Sequence, residues 1–288
     1  MNSDQISRQA VFVRSGDVDL YYRRFGRAGA VPLAIVHGGN YYDSGDWIEI
    51  ATALAGDREV LAWDQRGFGA SGWSARKDYS LDAQMADLRA LLDHFGLRKA
   101  VLMGHSMGGS QALVFASRFP EQCAGLILAD YRPSAPAQRA IPDRAQFSKV
   151  YPTLEAALAD TSRDQYAPAG SAQRARLEAI LKPVPGGFAF PRDPDFMNRT
   201  PLEPAGWTPR IIADDTWLEL ARVRVPVIAV HGTRSDRYSP EILARMKAEF
   251  PAVRCVPVDA GHDLAAGAPG PLIEAVRHFL QHDLGQQG

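Results

Sequence analysis

The chain has 288 residues, 46% apolar and 23% charged, with a formal net charge of −1 at pH 7, which leaves no electrostatic footprint for nucleic acid or an anionic membrane. The only cysteines, Cys123 and Cys255, form no C-x-x-C pair and no Cys/His cluster, so neither a disulfide scaffold nor a zinc site is expected. A polar N-terminal stretch, MNSDQISRQAVFVRSG, and the lack of any apolar run near about 18 residues predict a cytoplasmic protein without a secretion signal or membrane span.

In chain order, AVFVRSG (10–16) and VDLYYRRFG (18–26) read as two strands of a hairpin turning at Ser15-Gly16-Asp17. VPLAIVHGG (31–39) and EVLAWDQRG (59–67) are continuous apolar runs ending in glycine, the pattern of buried parallel strands. A helix is predicted over 80–97, capped by Ser80, with Leu81, Met85, Leu88, Leu91, Leu92 and Phe95 at helical spacing and Gly96 as its stop. KAVLMGHS (99–106) is a strand, MGGSQALVFASRFP (107–120) a helix and AGLILAD (124–130) a strand. VPVIAVHG (225–232), PEILARMKAEF (240–250), AVRCVPVDAG (252–261) and PLIEAVRHFL (271–280) continue the strand–helix alternation. Such alternation predicts an α/β fold: a mostly parallel sheet with helices on both faces.

The pattern fails over 131–215, where prolines and short helical pieces (138–160 in part, 171–181) appear and no strand is predicted. A stretch of that length is too long for a loop in a compact domain. It reads as a helical cap inserted over the sheet's C-terminal edge, leaving 1–130 and 216–288 as the core domain.

GFGASG (67–72) has the G-x-G-x-x-G spacing of a dinucleotide cradle. The mechanism of that cradle needs a helix opening on the glycines, so that its N–H groups face a pyrophosphate. Here seven residues, Trp73 to Tyr79, precede the helix, and no strand-end carboxylate follows about 20 residues on. A glycine-rich turn remains, and no nucleotide cofactor is expected.

GHSMG (104–108) lies directly between a strand and a helix. A nucleophile on so tight a turn needs glycine two positions to either side, at Gly104 and Gly108, which marks Ser106 as the nucleophile. At a helix N-terminus the Met107 N–H and the helix dipole favour a developing negative charge. Serine needs a base. His37 and His105 flank glycine turns and His94 lies inside a helix, places where a histidine is usually structural. His231 ends a strand, and His278 and His282 share a helix face at i, i+4. His262, in the loop after VDAG and near the C-terminus, is the expected base. The orienting carboxylate is expected to be Asp236, just past VIAV; Asp130, at the end of AGLILAD, is the rival. The turn after IVHGGN (35–40) supplies a second oxyanion donor in Gly39, and Asn40 a polar contact to substrate.

HGG (37–39), DQRGFGAS (64–71), GHSMGG (104–109), the Gly232 to Asp236 spacing and GH (261–262) together resemble the α/β-hydrolase superfamily, in the family's order. The resemblance implies a serine-nucleophile hydrolase with a helical cap. It makes 64–71 a loop shaping the sheet edge and gives Gly39 the oxyanion role. Serine at position 106 speaks against the aspartate-nucleophile dehalogenases and epoxide hydrolases. The expected reaction is hydrolysis of a small to medium apolar carboxylic ester or lactone through an acyl-enzyme, with no metal and no organic cofactor. C–C bond hydrolysis of a ring-cleavage β-diketone, a cofactor-free peroxidase activity and a low-turnover ligand-binding role are the alternatives, and assembly into a homo-oligomer stays open. Phe188, Phe190, Phe196, Trp207 and Trp217 read equally well as pocket lining and as cap core.

Overall fold

The computed structural model describes residues 11–39, 43–134, 148–160, 168–196 and 215–284. A hairpin of β1 (Phe12–Ser15) and β2 (Val18–Gly26) opens the chain, followed by β3 (Ala30–Val36), β4 (Arg58–Trp63), β5 (Ala100–His105) and β6 (Cys123–Ala129). The short pair β7 (Lys182–Val184) and β8 (Gly187–Ala189) precedes β9 (Val227–Gly232) and β10 (Arg254–Val258). The main sheet has eight strands in the order β1-β2-β4-β3-β5-β6-β9-β10. The strands from β4 onward are mutually parallel, and β1 and β2 run antiparallel at one edge.

The apolar runs divide their side chains between the two faces, as the two-residue period of a strand dictates. Ala34, Val36, Leu102, Leu126, Leu128 and Ala229 face one core, while Leu33, Ile35, Val101, Met103, Ile127 and Ile228 face the other. The first core is closed by helices α2 (Leu81–His94) and α3 (Met107–Arg118), the second by α1 (Ile48–Leu54) and by the later helix Pro269–His278. Ser80 caps α2 by accepting the Ala83 N–H, as the sequence predicts. Among the described residues no helix is long and apolar enough to cross a membrane.

DQRGFGAS closes on itself rather than cradling a ligand. The Asp64 carboxylate accepts the N–H groups of Ser44 (2.9 Å) and Ala70 (2.8 Å) and the Ser44 hydroxyl (2.5 Å). A Cβ on Gly69 (φ +56°) would collide with that carboxylate. Ser71 accepts the Tyr21 N–H at 2.8 Å and donates to the Asp64 carbonyl, tying the loop to β2. Arg66 makes a buried two-pronged pair with Asp87 on α2, at 2.7 and 2.6 Å. The Asp64 carboxylate takes the Ala70 N–H and backbone carbonyls take those of Gly67, Phe68, Gly69, Ser71 and Gly72, so this turn is built to join the sheet edge to α2.

Within 131–215 the structure differs from the sequence reading in one respect. Two strands, β7 and β8, form a small hairpin there, with a bridge from Tyr151 to Phe188. Each is three residues long and one contains Pro183, too short for an alternation to be visible. The predicted helical pieces are present as α4 (Leu154–Asp160) and α5 (Ala172–Ile180), while 138–147 lies outside the described residues. Tyr151, Ala157, Ile180, Leu181 and Phe190 form a cluster of their own, apart from the two sheet cores.

This stretch is joined to the core at the glycine-rich turn. Gly69 N–H donates to the Pro191 carbonyl (2.7 Å) and Asp193 N–H to the Gly67 carbonyl (2.7 Å). The fully buried Asp193 carboxylate accepts the Lys77 ammonium at 2.7 Å and the Tyr79 hydroxyl. Phe196 then packs against Phe68 and Tyr79, with Met107 beside them.

Candidate active site

Ser106 stands between β5 and α3 with φ +51° and ψ −119°, a strained conformation that aims its side chain out of the sheet edge. The turn is as tight as its glycines imply. A Cβ on Gly104 would lie 2.2 Å from the Gly108 carbonyl, and one on Gly108 would lie 2.3 Å from the Val36 carbonyl.

His262 lies in the loop after β10. Its Nε2 is 3.0 Å from Ser106 Oγ and its Nδ1 is 2.6 Å from Asp130 Oδ2. With Nδ1–H donating to the carboxylate, Nε2 is the acceptor for the Ser106 proton. The His262 carbonyl accepts from His105 Nε2–H at 2.8 Å, and the two rings lie 4.7 Å apart. Burial, reinforced by the His262 charge, pushes His105 down to about 3, so it holds the loop as a neutral donor. The next residue, Asp263, caps the short helix Leu264–Gly267 by accepting the Ala266 N–H.

The structure corrects the expected acid. Asp236 does not approach His262: its side chain is 83% exposed and pairs with Arg237 at 3.3 Å. Asp130, fully buried, is the carboxylate that meets His262. Strand register explains this. His105 pairs with Ala129 across β5 and β6, so the residues that follow, Ser106 and Asp130, leave the sheet at the same level. Asp130 turns sharply there, with φ +45° and its N–H donating to the Val230 carbonyl at 2.7 Å. Position 236 lies past a turn that carries its side chain to solvent.

The Asp130 carboxylate also accepts the Gly232 N–H (2.9 Å) and the Ser235 hydroxyl (2.5 Å). Burial opposes its charge, yet the bonds from His262, Ser235 and Gly232 hold it below the usual carboxylate range. Ser235 escapes a reading of sequence alone. Its signal is its place just past β9, the strand next to β6, which Asp130 directly follows.

Gly39 lies against Met107: a Cβ on Gly39 would come within 3.1 Å of the Met107 sulfur. Met107 opens α3, where a helix leaves its first N–H groups without intrahelical acceptors. Asn40 lies outside the described residues, as does Trp207. The remaining aromatic candidates are packed. Phe190 and Phe196 belong to the clusters above, Phe188 packs beside Phe190, and Trp217 stacks on Phe250 in the sheet core. His37 is structural: its Nε2 accepts the Gln65 N–H at 2.9 Å, which leaves Nδ1–H to donate to the Gly38 carbonyl at 2.6 Å. Among the described residues no group of three or more His, Cys, Asp or Glu side chains is arranged to hold a metal ion.

The array can pass the Ser106 proton to His262 while Asp130 stabilises the imidazolium, the chemistry of acyl transfer. A family model described as alpha/beta hydrolase fold matches residues 31–268. RutD of Caulobacter sp. (strain K31), whose name assigns it provisionally to carbamate hydrolysis, is 28% identical over 93% of this chain and 98% of its own length. Lipase LipV of Mycobacterium tuberculosis is 34% identical over 39% of this chain and 42% of its own. The chain spans less than half the length of several curated relatives it matches, this lipase among them. The crystal structure of E-2-(acetamidomethylene)succinate hydrolase superposes with a TM-score of 0.75 at 24% identity, covering 93% of this chain and 99% of that one.

Proposed function

The chain belongs to the α/β-hydrolase fold family, and we propose that it is a serine hydrolase cleaving a small to medium apolar carboxylic ester or lactone through an acyl-enzyme. The observation that carries this reading is the relay from Ser106 Oγ through His262 to Asp130, at 3.0 and 2.6 Å.

In this reading Ser106 Oγ attacks the substrate carbonyl as His262 Nε2 takes its proton. Asp130 keeps Nδ1 protonated and the ring oriented, and balances the charge of the imidazolium. The N–H groups of Gly39 and Met107 receive the oxyanion; such donors typically contribute about 3 kcal/mol each to the transition state. His262 returns the proton to the leaving oxygen, then deprotonates the water that attacks the acyl group and passes that proton to Ser106 Oγ as the ester bond to the enzyme breaks. Every step uses side chains and N–H groups of this chain, so the reaction asks for no metal or organic cofactor. The stretch 131–215 acts as the cap that selects the substrate. Its attachment through Asp193 and the contact of Phe196 beside Met107 support that role.

The test is labelling by a fluorophosphonate, followed by a hydrolysis screen of aryl esters of graded chain length, lactones and β-diketones. Likeness to RutD over nearly the whole chain adds carbamates to the panel. Stoichiometric labelling that disappears in Ser106→Ala is the expected result. A wild-type protein that stays unlabelled and hydrolyses none of the panel would overturn the proposal.

A further inference from the structure

Asp130 could rotate away from His262 about a single side-chain bond, so something must hold its carboxylate in plane with the imidazole. Two donors outside the Ser–His pair do so from β9 and its following turn. Gly232 N–H binds Oδ1 at 2.9 Å, and Ser235 Oγ binds Oδ2, the oxygen that also faces His262, at 2.5 Å. Ser235 is itself fixed: its N–H donates to the Gly232 carbonyl at 3.1 Å, and its Oγ accepts the Arg237 N–H at 3.3 Å. That second bond occupies a lone pair and directs the hydroxyl proton to Asp130.

We infer that Ser235 is a positioning residue of the active site, its hydroxyl locking the Asp130 carboxylate toward His262 and sharing its negative charge. The inference rests on the reading of Ser106, His262 and Asp130 as the catalytic array. A hydroxyl donated to Oδ2 makes that oxygen a weaker partner for an imidazolium. Its removal loosens the in-plane alignment, which lowers kcat. With Gly232 N–H still holding Oδ1, the carboxylate stays near His262 with more of its charge unshared, which moves the acid limb of the pH profile upward.

The other titratable groups facing Asp130 are His105, His231 and Tyr238. Burial lowers both histidines, His105 to about 3, and raises the tyrosine, so His105 and Tyr238 stay neutral across the assay range.

The experiment measures kcat and KM for a short-chain p-nitrophenyl ester from about pH 5 to 9. Wild type, Ser235→Ala and Ser235→Thr are compared, together with Ser235→Ala in an Asp130→Asn background. Ser235→Ala is expected to lower kcat about tenfold with KM within about twofold, and to raise the acid-limb midpoint by about half a unit. Ser235→Thr restores both, and in Asp130→Asn the alanine substitution adds less than about twofold. An unmoved acid limb, or a full additional loss in Asp130→Asn, would overturn the inference. Should the alanine variant not fold, Ser235→Cys, a weaker donor of similar size, carries the same comparison. Fluorophosphonate labelling of wild type separates the two readings. An unlabelled, inactive wild type sinks the serine-hydrolase assignment, whereas a labelled wild type with an unmoved limb in the variant sinks only the role of Ser235.

Discussion

Asp130 Oδ2 and His262 Nδ1 stand 2.6 Å apart although 132 residues separate them in the chain. Asp130→Asn keeps the size of the side chain but offers an amide where His262 needs an acceptor. The expected loss in kcat/KM is about a thousandfold or more, while Asp236→Asn stays within about twofold. Steady-state kinetics on the best ester of the screen decide the matter. Equal losses in the two variants would contradict the geometry.

His105 makes stability depend on pH with a defined sign. Its folded value, pushed down to about 3, lies below the unfolded value near 6.5, so the unfolded chain binds the extra proton. The stability this neutral histidine provides is complete above about pH 6.5 and is lost as pH falls toward 3, at up to about 1.4 kcal/mol per unit. His231, lowered by burial, and Asp130, held low by its donors, act in the same direction, Asp130 only below its unfolded value of about 3.9. Urea unfolding between about pH 7 and 4.5 is expected to show a shallower slope in His105→Gln, whose amide can still donate to the His262 carbonyl. Identical slopes would count against the buried neutral state.

Gly104→Ala and Gly108→Ala both press a methyl group onto backbone carbonyls that the sheet and α3 hold in place. Each is expected to cost about 3 kcal/mol or more, or to prevent accumulation of folded protein. Gly270, in the first turn of Pro269–His278, has open space where a Cβ would go. In Gly270→Ala the helix propensity of alanine is offset by crowding of its Cβ against the ring of Pro271, so stability is expected to change by less than about 1 kcal/mol in thermal or urea unfolding.

Asp193 joins 131–215 to the core through Lys77 and Tyr79. Breaking a buried pair costs about 3–5 kcal/mol, but Lys77 keeps 36% of its side chain in water, so Asp193→Asn should cost about 2 kcal/mol. Limited proteolysis is expected to cut within 131–215 faster in this variant than in wild type, before the core is degraded. Cleavage rates that match wild type would show the attachment to reside elsewhere.

How much of this was legible beforehand follows from the range of each interaction. Alternating apolar runs, Ser80, and the glycines around Ser106 act within a few residues, so the order of strands and helices and the tight strand-to-helix turn at Ser106 could be read directly. The β7–β8 hairpin escaped because strands of three residues carry no period. GFGASG shows how one pattern serves different physics: its spacing is that of a phosphate cradle, but its N–H groups are taken by the Asp64 carboxylate and by backbone carbonyls of the chain itself. The carboxylate partner of His262 was the residue that sequence alone misplaced. Asp130 ends one strand-like run and Asp236 lies just beyond another, and chain order admits either between Ser106 and His262. The choice was made by register between β5 and β6, which brings Asp130 level with Ser106, and by a turn that points Ser235 inward and Asp236 into solvent. Local sequence determined which groups were available for the chemistry. Only the tertiary structure decided which of them meet, because a 2.6 Å hydrogen bond depends on the packing of strands far apart in the chain.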